Sequence, residues 1–383
     1  MTDKQTILQQ AVANQDVPFI VAMVGNSNDV TWQGQAGDGA PGMAAGENTV
    51  MRIFSATKSI GSTAAMILVD RGQLDIDTPV ETILPEFRDV QLLDGFDEAG
   101  QPKLRAPEVK ATVRHLATHT SGFAYEFFNA DALNFMTATE HPSILSGSKA
   151  SMYYPLVCEP GSGWQYGIGI DWLGQVVEAV DGRRIDRFCG EEIFAPLGMA
   201  DTVFELDDGR NARLADLNMR GPDGVFGEFE LAPPPNPEVY GMGHCLYSTA
   251  ADYMKYLQMH LNKVAAGDGR ILSEAAAERM QTNHIGELRV NKLVTTAPEI
   301  TADFEPFPDI PKTHSFGFMR NEDDVPGMRS AGSQSWAGVC NTHYWFDPQK
   351  DVRAVLFTQS LPFVEDRFMK LYEDFERAVY AEL

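Results

Sequence analysis

The sequence is short of cysteine and of long apolar runs, and each shortage excludes a class of protein. Its 383 residues include four cysteines, which lie far apart and form no Cys-x-x-Cys pair: Cys158, Cys189, Cys245 and Cys340. Such spacing predicts buried free thiols in a reducing compartment, and not a disulfide framework. No uninterrupted apolar stretch is long enough to span a bilayer, so we expect no membrane-spanning segment.

Basic residues are also in the minority. There are 30 of them against 54 acidic residues, which gives a formal net charge of −24 at pH 7. A surface of this sign repels phosphate groups, so neither nucleic acid nor an anionic membrane is expected as a partner. The N-terminal residues enter an amphipathic pattern and not the apolar core of a signal peptide, which predicts a cytoplasmic protein.

Two motifs of hydrolytic enzymes are missing. His115 and His119 have the i, i+4 spacing of a zinc-protease helix, but position 116 is leucine, so the glutamate base is absent. We therefore expect no metal site, and nothing in the chain indicates a cofactor. The Gly-x-Ser-x-Gly elbow of α/β-hydrolases occurs nowhere, which excludes that route to ester hydrolysis.

The main chemical signal that is present is Ser55-Ala56-Thr57-Lys58, where a short apolar run passes into a helical pattern. In a helix, positions i and i+3 share a face, so Ser55 and Lys58 are expected to point the same way. A serine hydroxyl becomes a strong nucleophile when a neighbouring group, such as an amine, helps to remove its proton. The spacing repeats at Ser146 and Lys149, but no amphipathic helix follows there, so we interpret that segment as a loop.

Two later segments supply candidates for the rest of such a site. Tyr166 lies in a loop just before a helical pattern, and a nearby ammonium favours the phenolate form of a tyrosine, which makes Tyr166 a candidate base. The alternative is that Tyr166 is a packed loop aromatic. Gly338 precedes a strand-like run, where a ligand can approach backbone N–H groups that would form an oxyanion hole. The alternative here is an ordinary strand start with an exposed Trp336.

The order of strand and helix patterns predicts an α+β fold. Strands at both chain ends surround a helical, loop-rich middle, which indicates one antiparallel sheet built from both termini and flanked by helices, with an inserted helical subdomain. We expect a single domain, with an α/β part at residues 1–75 and 241–383 and a mostly helical part at 76–240. The expected helices include 4–14, 185–195, 248–261 with Ser248 as cap, and one near the C-terminus; the expected strands are 19–24, 30–35, 314–319, 339–346 and 352–358. A long surface loop is expected at 295–311.

Together the three motifs resemble the serine β-lactamase/penicillin-binding-protein superfamily, and most closely its class C-like family VIII carboxylesterases. The segments 116–122 and 247–253 also match that family. The resemblance implies a β-lactamase/transpeptidase-like fold in which Ser55 forms an acyl-enzyme, Tyr166 acts as base, and Lys58 keeps Tyr166 charged and relays its proton. It further implies an oxyanion hole made by the N–H groups of Ser55 and Val339, with Tyr125 lining the acyl or alcohol pocket.

The chain departs from class C β-lactamases in its substrate-binding positions. Their Tyr-x-Asn motif has Ile168 in the third place here, and their Lys-Thr-Gly strand is Trp336-Ala337-Gly338. The missing lysine would meet a substrate carboxylate and the missing asparagine a substrate amide, so hydrophobic contacts from Ile168, Trp336, Ala337 and Gly338 suit neutral esters better than β-lactams. The glycine-rich segment before Ser248 contains His244 and Cys245, which leaves the shape of that loop open.

These observations predict a serine carboxylesterase that hydrolyses small esters with short acyl groups through a Ser55 acyl-enzyme. The alternatives are a β-lactamase, a D-amino-acid peptidase or an amide hydrolase of the same superfamily, or an acyltransferase that uses the same intermediate. A catalytically silent ligand-binding relative is disfavoured because Ser55, Lys58 and Tyr166 are all present. The natural substrate, stereoselectivity and oligomeric state are left open by the sequence.

Overall fold

The computed structural model describes residues 3–262 and 271–383. Its α-helices are α1 (Lys4–Ala13), α2 (Thr57–Asp70), α3 (Val80–Ile83), α4 (Val113–Ala117), α5 (Ala130–Thr139), α6 (Gly169–Asp181), α7 (Ile185–Cys189), α8 (Ala195–Leu197), α9 (Asp208–Asn211), α10 (Ala250–Asn262), α11 (Glu274–Met280) and α12 (Asp366–Tyr380). Short 3₁₀ helices span Phe54–Ala56, Pro85–Asp89, Glu126–Phe128, Ile144–Ser146 and Ala150–Met152, and a π-helical turn spans Gly190–Phe194.

The strands include the members of one large sheet, a three-stranded sheet and several short pairs. They are β1 (Ile20–Gly25), β2 (Val30–Ala36), β3 (Asp38–Ala40), β4 (Met43–Ala44), β5 (Met51–Arg52), β6 (Leu92–Phe96), β7 (Pro102–Arg105), β8 (Asn218–Arg220), β9 (Phe226–Glu228), β10 (Tyr247–Ser248), β11 (Lys312–His314), β12 (Met319–Asn321), β13 (Gln334–Gly338), β14 (Thr342–Asp347), β15 (Val352–Phe357) and β16 (Ser360–Leu361). The three-stranded sheet has the order β16-β8-β9.

The large sheet has seven antiparallel strands in the order β11-β12-β13-β14-β15-β1-β2. Strand β1 from the N-terminal region lies beside β15 from the C-terminal region, with Val21 opposite Phe357. The expected α+β fold, with one antiparallel sheet from both chain ends, is therefore confirmed. Residues between the two halves form mainly short helices with small β-hairpins, as in the pair of β6 and β7.

Both faces of this sheet are covered, because alternate side chains of a strand point to opposite faces. In β1, Ile20, Ala22 and Val24 pack with α1 and α12, whereas Val21 and Met23 join the larger core on the other face. Helix α2 lies within that larger core and is buried from Thr57 to Leu68. A helix that is surrounded on all sides holds its residues in fixed positions, which matters because α2 carries Lys58.

Three expected elements differ from the structure. The run 314–319 contains the turn between β11 and β12, at residues 315–318, and the run 339–346 begins with a turn at 339–341 in which Asn341 has a φ of 61°. Helix α10 begins at Ala250, after Ser248 has paired in β10, and Thr249 accepts the N–H of Asp252 in the capping position. The apolar pattern at 314–346 did not reveal these turns because most of the turn residues are themselves buried.

Helical structure around 185–195 also continues further than expected. It runs from α7 through the π-helical turn into α8, whose first turn contains Pro196. Proline is tolerated in a first helical turn because its missing N–H would have no helical partner there. Among residues 3–262 and 271–383, every helix is too short or too polar to cross a bilayer.

Candidate active site

Ser55 lies in the 3₁₀ turn between β5 and α2, and two hydrogen bonds hold the residue two positions before it. The N–H of Ile53 donates to the carbonyl of Leu246 (3.1 Å), and the hydroxyl of Thr342 donates to the carbonyl of Ile53 (3.2 Å). Phe54 has a φ of 39°, in the left-handed region that bulky residues rarely adopt. This strained residue comes immediately before Ser55, which is the pattern seen where surrounding structure holds a functional side chain in place.

Gly338 is required for the same packing. A Cβ atom on this residue would lie 2.1 Å from the carbonyl oxygen of Ile53 and 2.3 Å from Oγ1 of Thr342. The glycine therefore lets the backbone before Ser55 approach β13. Sequence reasoning attributed the close approach to a ligand, but the neighbour is the protein's own chain, and Gly338 lines neither cavity beside Ser55.

Lys58 is buried and its amine is surrounded by oxygen atoms. Its Nζ lies 3.0 Å from Oγ of Ser55, 3.0 Å from the hydroxyl of Tyr125 and 2.7 Å from the carbonyl oxygen of Gly243. Burial lowers the pKa of Lys58 from 10.5 to about 7, although the negative charge of Asp171 acts in the opposite direction. A large fraction of Lys58 is therefore neutral near pH 7, and a neutral amine 3.0 Å from a hydroxyl can accept its proton.

Tyr166 lies beside the same pair. Its ring centroid is 4.9 Å from Nζ of Lys58, and its hydroxyl accepts the indole N–H of Trp336 at 3.3 Å. Burial raises the pKa of Tyr166 above its ordinary value, while hydrogen bonds from Ser55 and Trp336 lower it by less. Tyr166 is therefore a protonated phenol at neutral pH. The sequence-based expectation of a phenolate does not fit this environment.

Aromatic side chains behind Tyr166 hold its ring. His119 lies 4.9 Å from it in an edge-on arrangement, and Trp336 lies 4.9 Å away on another side, both measured between ring centroids. Burial lowers the pKa of His119 well below its ordinary value, so this imidazole is neutral. Trp336 is buried and not exposed, so the alternative of an exposed strand-start tryptophan is wrong.

A cavity of about 240 Å³ opens beside Ser55. Its lining residues are mostly apolar: Phe54, Ser55, Tyr125, Glu126, Phe127, Leu133, Ser143, Ile144, Leu145, Leu231, His244, Thr296, Ala297, Ile300 and Val339. Tyr125 thus lines this cavity and contacts Lys58 as well. The long loop expected at 295–311 contributes Thr296, Ala297 and Ile300 to the wall.

A second cavity of about 20 Å³ also contains Ser55. Its other lining residues are almost all aromatic or aliphatic: Phe127, Phe128, Tyr166, Leu293, Phe304, Trp336, Ala337, Val339 and Phe363. Ser55 and Val339 line both cavities, and neither of their backbone N–H groups donates to any residue in the described part of the chain. Backbone N–H groups without a partner in the protein are the donors that an oxyanion hole needs.

Ile168 is not at either cavity. Its side chain is fully buried in the main core, and its carbonyl accepts the N–H of Asp171 at the start of α6. Of the expected substrate-binding residues, Tyr125, Trp336 and Ala337 therefore line a cavity, whereas Ile168 and Gly338 pack inside the protein.

Sequence reasoning missed the residues on the far side of Lys58. Asp171 is fully buried and accepts the N–H of Gly243 at 3.0 Å, and His244 lies next to it with 3.4 Å between Nδ1 and the carboxylate. The sequence contained no signal for this burial, because Asp171 shares its helical face with the polar residues Gln175 and Glu178. Within the ranges that the structure covers, no cluster of His, Cys, Asp and Glu side chains could hold a metal ion.

Comparison with known proteins places these residues in a family context. A family model described as Beta-lactamase matches residues 5–378. Monacolin J acid methylbutanoyltransferase of Aspergillus terreus is 30% identical over 353 residues, which cover 88% of this chain and 83% of the relative. Lovastatin esterase of Penicillium rubens is 30% identical over 347 residues, covering 86% and 85%.

A solved structure resembles the whole chain. Unliganded simvastatin synthase (LovD) from Aspergillus terreus superimposes with a TM-score of 0.86 and 26% identity, covering 99% of this chain and 97% of the other. The β-lactamase/transpeptidase-like fold expected from the sequence is thereby confirmed, and the two relatives are, by name, an acyltransferase and an esterase.

Proposed function

The chain belongs to the Beta-lactamase family of serine enzymes, and we propose that it is a carboxylesterase that cleaves neutral esters through an acyl-enzyme on Ser55. The observation that carries this proposal is the 3.0 Å contact between Oγ of Ser55 and Nζ of Lys58 at the mouth of two apolar cavities. A nucleophile, a neutral amine beside it and free backbone N–H groups are the parts that acyl transfer requires.

In the proposed acylation step, Lys58 and not Tyr166 is the base. Nζ of Lys58 takes the proton of Ser55 while Oγ bonds to the carbonyl carbon of the ester. The N–H groups of Ser55 and Val339 stabilise the resulting oxyanion, a type of contact that is usually among the largest contributions to such catalysis. Lys58, and not Tyr166 as the sequence suggested, is given the role of base because its amine is largely neutral whereas the phenol of Tyr166 keeps its proton.

Tyr166 then delivers a proton to the leaving alcohol. As the carbon–oxygen bond of the ester breaks, the phenol gives its proton to the alkoxide oxygen and takes one from the ammonium of Lys58. In deacylation, water attacks the acyl-enzyme and Lys58 takes its proton. As the bond between the acyl carbon and Oγ of Ser55 breaks, Lys58 gives that proton to Oγ. The enzyme returns to its starting protonation state.

The cavity lining favours neutral esters over β-lactams. Among the described residues that line the two cavities, none is lysine or arginine, and Glu126 is the acidic residue of the larger one. A carboxylate on the substrate would therefore lose its hydration without gaining a cationic partner, which is costly in an apolar site. The larger cavity, of about 240 Å³, has room for an organic substituent of the ester, whereas the smaller one, of about 20 Å³, holds about one water molecule.

Acyl transfer to an alcohol is the second candidate function. The larger cavity is apolar and ends at Ser55, so a bound alcohol would exclude water and take its place as acceptor. One of the two relatives is named as a transferase and the other as an esterase, which supports both acceptors as candidates for this chain. The two reactions differ only in the acceptor that attacks the acyl-enzyme.

The test is acylation by p-nitrophenyl butyrate, followed by mass spectrometry of the intact protein and its peptides. We expect a butyryl adduct on Ser55 and faster turnover of this ester than of a chromogenic cephalosporin. Ser55→Ala should lower the rate by a factor on the order of 10⁴, because residues that act as a unit fail together. Adding an apolar alcohol and comparing ester with acid among the products separates transfer from hydrolysis.

Ser146→Ala is the matched control, because Ser146 belongs to the same sequence pattern but is exposed and hydrogen-bonded to Ser148. Its rate should equal that of the wild type. An adduct on Ser146, or turnover of the cephalosporin faster than of the ester, would contradict the proposal.

A further inference from the structure

The loop Gly241-Met242-Gly243 is folded closely around the carboxylate of Asp171. A Cβ atom on Gly241 would lie 2.5 Å from Oδ1 of Asp171, and one on Gly243 would lie 2.5 Å from Oδ2. Neither glycine has a positive φ, so both are needed for space and not for backbone conformation. The absence of two side chains therefore lets this loop reach the carboxylate.

Gly243 connects that carboxylate to the candidate base. Its N–H donates to Oδ1 of Asp171 at 3.0 Å, and its carbonyl oxygen accepts a hydrogen bond from Nζ of Lys58 at 2.7 Å. One residue thus joins Asp171 to Lys58, which itself contacts Ser55. Hydrogen bonds to charged groups are about twice as strong as neutral ones, so Asp171 is well placed to fix the position of Gly243.

The second oxygen of Asp171 is not used in this contact. Oδ2 is buried and has no hydrogen-bond partner in residues 3–262 and 271–383, and Nδ1 of His244 lacks one as well. A buried charge with an unused oxygen is costly unless a nearby charge compensates for it. The amine of Lys58 interacts electrostatically with this carboxylate, which favours its ammonium form.

We propose that Asp171 is a positioning residue for the Ser55–Lys58 pair. It holds Gly243 where the carbonyl oxygen binds the amine of Lys58, and its negative charge stabilises the ammonium that forms when Lys58 takes the proton of Ser55. This inference rests on the proposed function, and it assigns a role to a buried side chain that lies outside both cavities.

The effect that removing the charge of Asp171 has on the pH dependence of acylation follows from the groups that face Lys58. They are Tyr125 and Tyr166 from the loops, His119 from the segment after α4, and Asp171 from α6 with His244 against it. Tyr125 and Tyr166 are neutral, since burial raises the pKa of both, and burial makes His119 neutral too. Removing the charge of Asp171 therefore lowers the pH at which Lys58 becomes a neutral base.

The experiment measures the second-order rate constant for acylation by p-nitrophenyl butyrate as a function of pH. In Asp171→Asn, the amide oxygen still accepts the N–H of Gly243 but the charge is gone, so the acid limb should move to lower pH by about one unit. Asp171→Ala also loses the hydrogen bond, so its plateau rate should fall by a further factor of about ten.

Asp252→Asn is the control, because Asp252 is also a buried aspartate that accepts a backbone N–H, that of Asp201 at 2.7 Å. Its acid limb should stay in place. Gly243→Ala tests the contact from the other side and should lower the acylation rate at least tenfold, since the added Cβ displaces the loop.

The outcomes separate this inference from the function on which it rests. If wild-type Ser55 is not acylated, the proposed function fails. If Ser55 is acylated but the acid limb of folded Asp171→Asn does not move, or Gly243→Ala keeps the wild-type rate, the role of Asp171 is refuted and the esterase proposal stands.

Discussion

Replacing Lys58 by methionine should abolish acylation and yet stabilise the protein, by an amount that depends on pH. Methionine fills much the same space without a charge, so the variant removes the cost of burying an amine that is an ammonium in the unfolded chain. Burial lowers the pKa of Lys58 from 10.5 to about 7. The unfolded chain therefore binds more protons than the folded protein between these two values, and wild-type stability rises with pH across that window.

The magnitude follows from the two pKa values. Near pH 6, the free-energy cost of burying the Lys58 amine corresponds to the full difference of about 3.5 units between its unfolded and folded pKa values, or about 5 kcal/mol. Near pH 9, it corresponds to the difference between 10.5 and 9, or about 2 kcal/mol. The advantage of Lys58→Met over the wild type should thus shrink by about 3 kcal/mol from pH 6 to pH 9.

The assay is urea unfolding of both proteins at the two pH values. The variant also leaves the hydroxyl of Tyr125 and the carbonyl of Gly243 without their partner, but that cost is independent of pH and cancels in the comparison. Lys149→Met removes an exposed lysine and should change the unfolding free energy by less than about 0.5 kcal/mol at both pH values. A Lys58→Met effect that does not change with pH, or that grows as pH rises, would refute the assignment of Lys58 as a neutral base.

Two further predictions concern the neighbours of this pair. Tyr166→Phe keeps the ring against Trp336 and His119 but removes the hydroxyl proton. Turnover of ethyl butyrate should therefore fall about 10²-fold. Turnover of p-nitrophenyl butyrate should fall by less, because nitrophenolate leaves without a proton. Equal losses for the two esters would contradict proton delivery by Tyr166. Gly338→Ala places a Cβ atom 2.1 Å from the carbonyl oxygen of Ile53, so it should displace Ser55 and lower turnover at least tenfold. Gly227→Ala is the control, because its added Cβ atom would have no neighbour within 4 Å, and turnover should be unchanged. Wild-type turnover in Gly338→Ala would show that this packing does not position Ser55.

Local spacing was sufficient to predict the centre of the site. Ser55 and Lys58 are three residues apart at the start of a helix, so their contact depends on helical geometry that a sequence pattern records directly. The sheet was predictable for a similar reason, since β1 and β15 show apolar runs typical of strands buried on both faces. Turns between such strands were predicted less well, because buried residues such as Asn341 form them.

The sequence by itself determined the family, and it predicted the candidate nucleophile Ser55 and its neighbour Lys58. Only the tertiary structure decided the protonation states of Lys58 and Tyr166, because a pKa changes with burial and with charges that come from distant parts of the chain. The positions of Asp171 and Ile168, which lie close to Tyr166 in the sequence, were also decided by tertiary structure. Folding places Asp171 against Gly243, on the far side of Lys58, and Ile168 in the core. Neither position is encoded in local spacing, since both depend on where the loop 241–243 and helix α2 pack against α6.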